Sequence, residues 1–560
     1  MGTKGRNSLQ FRLNLVTCTV GKRMRVTAVF RNRFVATRVV LSLLLLVFAA
    51  LGGIASVQSG LTIDDATEQL TFRTITSAAK SLLQGNLEEY NHLQSYGDRY
   101  YGIGFDLLAY PFQILLQPHL ARALRVDADT ALLLAIRPVI FFLFAISVAA
   151  FYRCARFFIN ERGIAAAASA TYAACPYLFG HAMINVRDSP FMSMYLICTY
   201  LSLRLVKRHL HRTADKSVAD VAGLACATAA LASIRIPGLM ILVQYAFTFG
   251  VADFSKPPGT RSRILTWRKV TCFSTVLLFL VILVFPAVWL NPWREIFAGV
   301  HFVGWYYQPG CTLTWGQCMK AYATPAYLLG WFAVKLPLVV IAGVAVVPFT
   351  LKKIWGHSFQ RIAYLTLLFG SVYVLIVIVA LRAHLYDETR QLLFIYPLLF
   401  LLALIAIYLA SRRVALAAAL LALGMFLWDQ VRLHPYQYVY FNEFGRFLDI
   451  DRLFETDYWG ISAREHARAL ETDARFVRRL DCLYADPVIL YRPFINPNIC
   501  VGPLDALTEY PHGNEAVIAI TCSPSRFAMP ASCWQISSIA RTLPLSNRTI
   551  TMAAAYDCRR

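Results

Sequence analysis

The stretch GLTIDDATEQ, residues 60–69, sets two carboxylates, Asp64 and Asp65, side by side just after an apolar run of membrane-spanning length. Asp64 is the first acidic residue in the chain. Cations recur at comparable positions further on. Arg137 sits early in a second apolar run, and HAMINVRDSPF places Asn185, Arg187 and Asp188 in one tight turn. SIRIPGL carries Arg235, and Lys335 lies inside the run WFAVKLPLVV. LRAHLYDETRQLLFIYP gathers Arg382, His384, Asp387, Glu388 and Arg390. Charges at membrane edges and inside spans are costly, so those that persist are functional candidates. Singly, each is as well explained by snorkelling or pairing. Jointly, carboxylates at one point and cations at several others on the same leaflet suit a phosphate-bearing lipid. Arg and Lys hold phosphate oxygens through charge-assisted hydrogen bonds and steady a departing phosphate. A carboxylate takes the proton of an attacking hydroxyl or amine. Asp64 and Asp65 would divide that labour, one as base and the other orienting it or holding a divalent metal.

The elements that must position these residues are membrane helices. The 560-residue chain is 58% hydrophobic and only 15% charged, which is not a soluble globular composition. Its net charge of +22 sits in short loops between apolar runs, where it acts as a topology signal rather than a nucleic-acid surface. Val39 to Val57 carries no charge, and nine Lys/Arg with no Asp/Glu precede it. That pattern reads as a retained helix with residues 1–38 as a basic cytoplasmic N-terminus. Further runs fall near 131–152, 163–182, 190–206, 218–234, 237–252, 270–290, 326–351, 362–381, 392–410 and 414–430. About eleven transmembrane helices follow, with the N-terminus in and the C-terminus out. The segments assigned to the inside hold 27 Lys/Arg and three acids, whereas the long loop 58–130 holds nine acids and five bases.

The expected fold is therefore a polytopic α-helical membrane protein: a transmembrane domain over 39–430 and a small extracytoplasmic α/β domain over 431–560. The long first loop mixes apolar residues at helical spacing with Tyr and charge, which predicts helices lying along the interface. Trp289, Trp293, Trp305, Tyr306, Tyr307 and Trp315 make the loop 291–325 and its approach aromatic, as an interfacial belt or, alternatively, a sugar-stacking surface. In the last domain, AVIAIT and CLYADPVIL read as strands, and the stretch after ETDYWG as an amphipathic helix. Cys311 and Cys318 share one outside loop, and Cys482, Cys500, Cys522, Cys533 and Cys558 share the last domain. Disulfides are expected there in an oxidising compartment, with one thiol of the five left over and the connectivity open.

Four stretches carry a family resemblance. IDDATEQ resembles an Asp-Glu pair opening the first outside loop, and INVRDSPF resembles an NPKDIPF turn. LYDETRQLLFIYP resembles YDGxRHFLFxxP. HPYQYVYFNEFGRF with ETDYWGISAREH resembles PYxYxYxNELVGG and DYWGxSxxEA. Over roughly residues 36 to 465 the sequence is similar to membrane glycosyltransferases of GT-C fold, in the protein-O-mannosyltransferase and aminoarabinose-transferase-like group, with bacterial members. The resemblance implies a polyprenyl-phosphate sugar donor, an unknown protein, lipid or glycan acceptor, and a first-loop acid as the base. By position that base is Asp64, with Asp65 standing where Glu is usual. Arg187, Arg390, Arg235, Lys335 and Arg137 are the candidate phosphate-binding residues, with Asp188, Asn185 and Asp387 in support. Asn442, Glu443, Asp457, Tyr458 and Trp459 also match, as a dock for the last domain or as part of the site. Members differ in their need for a divalent metal such as Mg or Mn, to which Asp65 and Asp188 would contribute. The implied place is a bacterial inner membrane with a periplasmic site. The rival reading is a secondary transporter of a small anionic solute, which would place charges near the midplane in paired broken helices.

Overall fold

The computed structural model describes residues 39–211, 217–255, 264–305, 310–320, 322, 324–473, 482–504, 517–522, 524, 527, 529 and 533–558. The basic N-terminus, Tyr306 and Tyr307 lie outside these residues, as does the Trp305 side chain. The chain divides into Met1–Leu51 and Gly52–Arg560. Of the first unit, residues 39–51 are the apolar beginning of helix α1, Val39–Ser56. All that follows concerns the second unit, which includes the composition change near residue 431.

The first long loop folds into α2 (Asp65–Leu83), α3 (Glu88–Ser95) and α4 (Gly104–Leu124). Helix α4 keeps Leu107, Leu108, Phe112, Ile114 and Leu115 exposed, as an interfacial helix would. Then come α5 (Ala128–Ala135) and α6 (Arg137–Ala155), α7 (Arg162–Ala174), α8 (Pro176–Ile184), α9 (Asp188–Leu210), α10 (Ser217–Ile234), α11 (Ile241–Phe254) and α12 (Trp267–Val284). After α13 (Pro292–Trp305) and a hairpin of β1 (Cys311–Thr314) and β2 (Gln317–Lys320), the bundle closes with α14 (Pro325–Lys335), α15 (Leu338–Ile354), α16 (Ser358–Ala380), α17 (Tyr396–Ala410, entered by a 3-10 turn from Arg390) and α18 (Arg412–Leu433). Every apolar run is largely helical, and among the described residues seven helices are long and apolar enough to cross a membrane. The chain is an integral membrane protein of polytopic helical fold.

Two runs expected as single spans are broken, both at proline. The run 163–182 splits at Cys175, where Pro176 holds the preceding residue at ψ 116°. The run 326–351 splits into α14 and α15, bent by 117°. Leu336 lies at ψ 126° before Pro337, so the helix ends at Lys335. Asn442 holds this break: its Nδ2 donates to the carbonyls of Ala333 and Leu336, at 2.7 and 2.6 Å. Glu443 accepts from the Leu338 N–H at 3.2 Å. These two motif residues brace the broken helix.

Beyond α18 a five-stranded sheet runs in the order Cys500–Pro503, Cys482–Asp486, Val517–Ile520, Thr549–Asp557, Trp534–Thr542. The first three strands are parallel and the rest antiparallel. Within AVIAIT, Val517–Ile520 is a strand as expected, but CLYADPVIL is a strand only to Asp486, and Val488–Tyr491 is a helical turn. The long terminal hairpin was not legible in the sequence. Disulfides join Cys311 to Cys318, Cys482 to Cys500 and Cys533 to Cys558, leaving Cys522 as the odd thiol. One apolar core joins the sheet to the membrane part, with Leu483, Val517 and Ala555 packed alongside Ala467, Leu470, Leu61 and Leu134. That shared core fixes the chain before helix Ala463–Thr472 against the first loop.

Candidate active site

Asp64 and Asp65 open α2 and point to different surroundings. Asp65 Oδ2 accepts from the Thr62 N–H at 2.8 Å, while the Asp65 N–H donates to Thr62 Oγ1 at 3.2 Å. This reciprocal pair caps the helix start. The same Oδ2 accepts from Arg137 Nη2 at 2.9 Å, and Arg137 Nη1 donates to Ser59 Oγ at 2.7 Å. Asp65 and Arg137 are both buried. Burial pushes the Asp65 carboxyl above the usual range, and Arg137 pulls against that shift. Asp64, in contrast, is 40% exposed at its side chain. Its Oδ2 accepts from Arg390 Nη1 at 3.1 Å and from the Trp459 indole N–H at 2.9 Å.

Arg390 is the hub of the open side. Its Nη2 pairs with Asp387 Oδ2 at 3.0 Å, and its Nη1 lies 3.9 Å from Asp188 Oδ2. The guanidinium stands over Tyr386 and Trp459, 4.9 and 5.1 Å from their ring centres. Arg235 Nη1 holds the other oxygen of Asp188 at 3.0 Å. Asn185 fixes the turn: its Oδ1 accepts from the N–H groups of Arg187 and Asp188, and its Nδ2 donates to Asp188 at 3.1 Å. Asp387 and Glu388 both have left-handed backbone, at φ 53° and 67°. That conformation costs about 1–2 kcal/mol per residue for a side chain with a Cβ. It is held by Thr312 Oγ1, which accepts from the Asp387 N–H, and by Tyr327, which donates to the Glu388 carbonyl. Burial pushes the Asp387 carboxyl up to about 6, against the pull of Arg390.

Three of the expected phosphate ligands are enclosed by acids instead. Arg137 is spent on Asp65. Lys335 Nζ pairs with Glu388 Oε1 at 2.7 Å, both groups buried. Burial pushes Glu388 up to about 7, and Lys335 opposes that. Arg187 Nε donates to Glu68 Oε2 at 2.6 Å, and its Nη1 to Asp106 Oδ2 at 2.7 Å and to the Gly102 carbonyl. Burial, reinforced by Glu68 and opposed by Arg187, holds Asp106 at about 6. The pairing has a plain physical cause: an unpaired buried cation is too costly, so each recruits a carboxylate. Of the five cations, Arg235 and Arg390 keep the greater exposure, at 24% and 7% of their side chains. Among the described residues no group of three His, Cys, Asp or Glu side chains is arranged to hold a metal ion. Asp65 and Asp188, the candidate ligands, are each committed to an arginine, so they do not fit a site for Mg or Mn.

Trp459 is the one of the five motif residues that donates a hydrogen bond to Asp64 among the described residues. Asp457, at φ 42°, accepts from Tyr438, from Ser462 Oγ and N, and from the Ile461 N–H, which closes the loop around itself. Burial lifts its carboxyl to about 6, with the Ser462 and Tyr438 hydroxyls opposing. The Gly60 N–H donates to the Ile461 carbonyl at 3.1 Å and the Ile63 N–H to that of Trp459 at 3.3 Å. On the other flank the Glu455 N–H donates to the Leu313 carbonyl, and Trp315 meets Phe454 edge to face. Gly460 needs to be glycine: its φ is +66°, and a Cβ there would meet Leu490 at 2.4 Å. The loop thus docks the last domain and also delivers the indole N–H to Asp64. Glu68 and Asp106 were missed as site members. Glu68 had one legible signal, its place one helical turn after Asp64. Trp289, Trp293 and Trp315 take no part in this cluster; Trp293 is 75% exposed, as in a belt.

No family model matches the chain, and no curated protein matches it by sequence. Among solved structures, ArnT from Cupriavidus metallidurans bound to undecaprenyl phosphate is similar at 14% identity and a TM-score of 0.43, covering 92% of this chain and 97% of its own. ArnT from the same organism in the apo state is similar at 14% identity and a TM-score of 0.40, covering 82% and 93%.

Proposed function

We propose that this protein moves a sugar from a polyprenyl-phosphate donor to an acceptor on the periplasmic side of a bacterial inner membrane, with Asp64 as general base. The observation that carries the reading is the contrast in exposure inside one ion-pair network. Asp64 has the most open carboxylate of those bound to the clustered cations, yet its Oδ2 is held by Arg390 and Trp459. Oδ1 is left to take the acceptor's proton. The acceptor oxygen or nitrogen then bonds to the anomeric carbon, the bond from that carbon to the phosphate oxygen breaks, and the polyprenyl phosphate leaves with the electron pair. Arg390 and Arg235 receive its charge. Arg390 links the two ends of this reaction. An anionic phosphate that joins Arg390 competes with Asp64 for its guanidinium.

The rival transporter reading draws on one observation, the 117° break between α14 and α15 beside Lys335. A substrate-uptake assay addresses it. The enzyme reading is tested with the purified chain in lipid nanodiscs and a panel of synthetic polyprenyl-phosphate sugars, following sugar release or transfer by mass spectrometry. Turnover by wild type that disappears in Asp64→Asn, with donor binding retained, is the expected result. Turnover unchanged in Asp64→Asn would remove the assignment of the base.

A further inference from the structure

At the other end of the bundle a cavity of about 220 Å³ lies among the ends of α15, α16, α17 and α18. Its polar lining is Lys353, His357, Gln360, Arg412, Asn160 and Tyr408. The segment Arg390–Ala410 reaches both places: Arg390 belongs to the Asp64 cluster, and Tyr408 and Leu409 line this cavity. Six residues of 3-10 turn and fifteen of α-helix span on the order of 30 Å, the thickness of the hydrocarbon layer. The cavity therefore sits at the headgroup level of the opposite leaflet.

Its charges are incompletely balanced. Arg412 Nη1 pairs with Glu161 Oε1 at 2.8 Å, and Tyr408 donates to the other Glu161 oxygen at 2.6 Å. Lys353 Nζ donates to the Leu409 and Ala410 carbonyls, at 2.7 and 3.4 Å, and faces no carboxylate among the described residues. An ammonium group has three donors, so one remains. The cations also continue into lipid-facing surface. Phe349, one turn before Lys353 on α15, is 80% exposed. Leu416 and Leu420, one and two turns after Arg412 on α18, are 38% and 53% exposed. Residues four apart share a helix face, so apolar stripes run from the cationic pocket along both helices.

We propose that this pocket binds the phosphate of an anionic phospholipid, with Lys353 and Arg412 on the phosphate oxygens and the acyl chains along the Phe349 and Leu416–Leu420 stripes. Basic pockets between helices that open onto apolar surface suit a ligand with a charged head and apolar tails. The proposal is independent of the sugar-transfer reading.

The test is native mass spectrometry of the full chain in detergent, titrated with phosphatidylglycerol, with phosphatidylcholine, and with inorganic phosphate as competitor. Wild type should hold phosphatidylglycerol on the order of tenfold more tightly than phosphatidylcholine, and the Lys353→Gln/Arg412→Gln double variant should lose that preference. Lys352→Gln, one residue away and outside the lining, should keep it. Glu161→Gln frees Arg412 from its acid and should tighten phosphatidylglycerol, a gain that misfolding cannot mimic. Displacement of phosphatidylglycerol by inorganic phosphate would identify the phosphate as the group recognised. Inorganic phosphate bound without any preference for phosphatidylglycerol would overturn the lipid as ligand. Equal binding of the two lipids, or an unchanged preference in the double variant, would overturn the site.

Discussion

Asp64 and Asp65 are adjacent in sequence and each is held by an arginine, yet they belong to different regions. The wall, Asp65 with Arg137, is a closed pair that also caps α2. The rim, Asp64 with Arg390, is open on one side and shares its arginine with Asp387. The step from one to the other is a single residue at a helix start, where the chain turns inward. The lesson is that a charge pair's chemistry follows from which lone pairs and donors remain after the protein has used the others. Asp65 has its cation to itself in a dry site. Asp64 shares its cation and keeps 40% of its side chain exposed.

The largest expected effect separates the two acids by what each controls. Asp64→Asn should lower turnover by on the order of 10²–10⁴ while changing stability little, because it deletes a proton acceptor at a half-open position. Asp65→Asn should instead lower stability by about 3–5 kcal/mol, since it strands a buried guanidinium. Folded yield and melting in detergent, measured beside turnover per folded molecule, read both. The comparison breaks if Asp65→Asn folds as wild type and loses turnover. A second pair of variants sharpens it. Asp65→Leu combined with Arg137→Met removes both charges and should recover most of the stability lost by Asp65→Asn. A double variant no more stable than the single would mean that the helix cap, rather than the ion pair, makes the wall.

The helices of this fold were legible because hydropathy and loop charge are local signals. All eleven apolar runs are largely helical, and Asp64, Asp188, Arg235, Asp387 and Arg390 lie within one network of ion pairs. Their pairing was not legible, because partners come from distant stretches: Arg187 and Asp106 are 81 residues apart, Arg390 and Asp64 326. A cation at a membrane edge looks the same in sequence whether it awaits a phosphate or already holds a carboxylate. Arg137, Arg187 and Lys335 each hold a carboxylate. The broken span at Leu336–Pro337 had its signal in one proline, outweighed by the long apolar run around it. In the last domain, strand Trp534–Thr542 lacks the strict alternation of buried and exposed positions that marks a strand in sequence.

The next effect concerns the bond that ties the C-terminal loop to the rim. Trp459→Phe keeps the ring beside Arg390 but removes the N–H donor to Asp64 Oδ2. A hydrogen bond to a charged group is worth about 1.5–3 kcal/mol, part of which water restores at a half-exposed carboxylate. A loss of about tenfold in kcat/KM is expected, with little change in melting temperature. Because Trp459 acts through Asp64, Trp459→Phe added to Asp64→Asn should lower turnover per folded molecule no further than Asp64→Asn alone. A purely structural role would lower the folded fraction and leave turnover per folded molecule in place.

The smallest effect is a pH dependence of donor binding, set by the acids that neutralise the cluster. Seven carboxylates (Asp64, Asp65, Glu68, Asp106, Asp188, Asp387 and Glu388) face five cations, so the fully ionised network carries no surplus of positive charge for a phosphate. Glu388 and Asp387 lie at about 7 and about 6, raised by burial. Below those values they are protonated, and the positive charge of Lys335 and Arg390 is no longer cancelled. A polyprenyl-phosphate sugar is a diester whose single charge is constant over this range. Its affinity should therefore rise as pH falls from 8 to 6, by at least a few-fold for each carboxylate neutralised. Equilibrium binding of a non-transferable donor analogue measures this. Glu388→Gln should bind at pH 8 nearly as wild type does at pH 6, with a flatter profile, because its side chain is already neutral. An unchanged slope in Glu388→Gln would mean that Lys335 and Glu388 belong to the wall with Asp65 and Arg137, leaving Asp387 as the acid at the rim that governs the donor's phosphate.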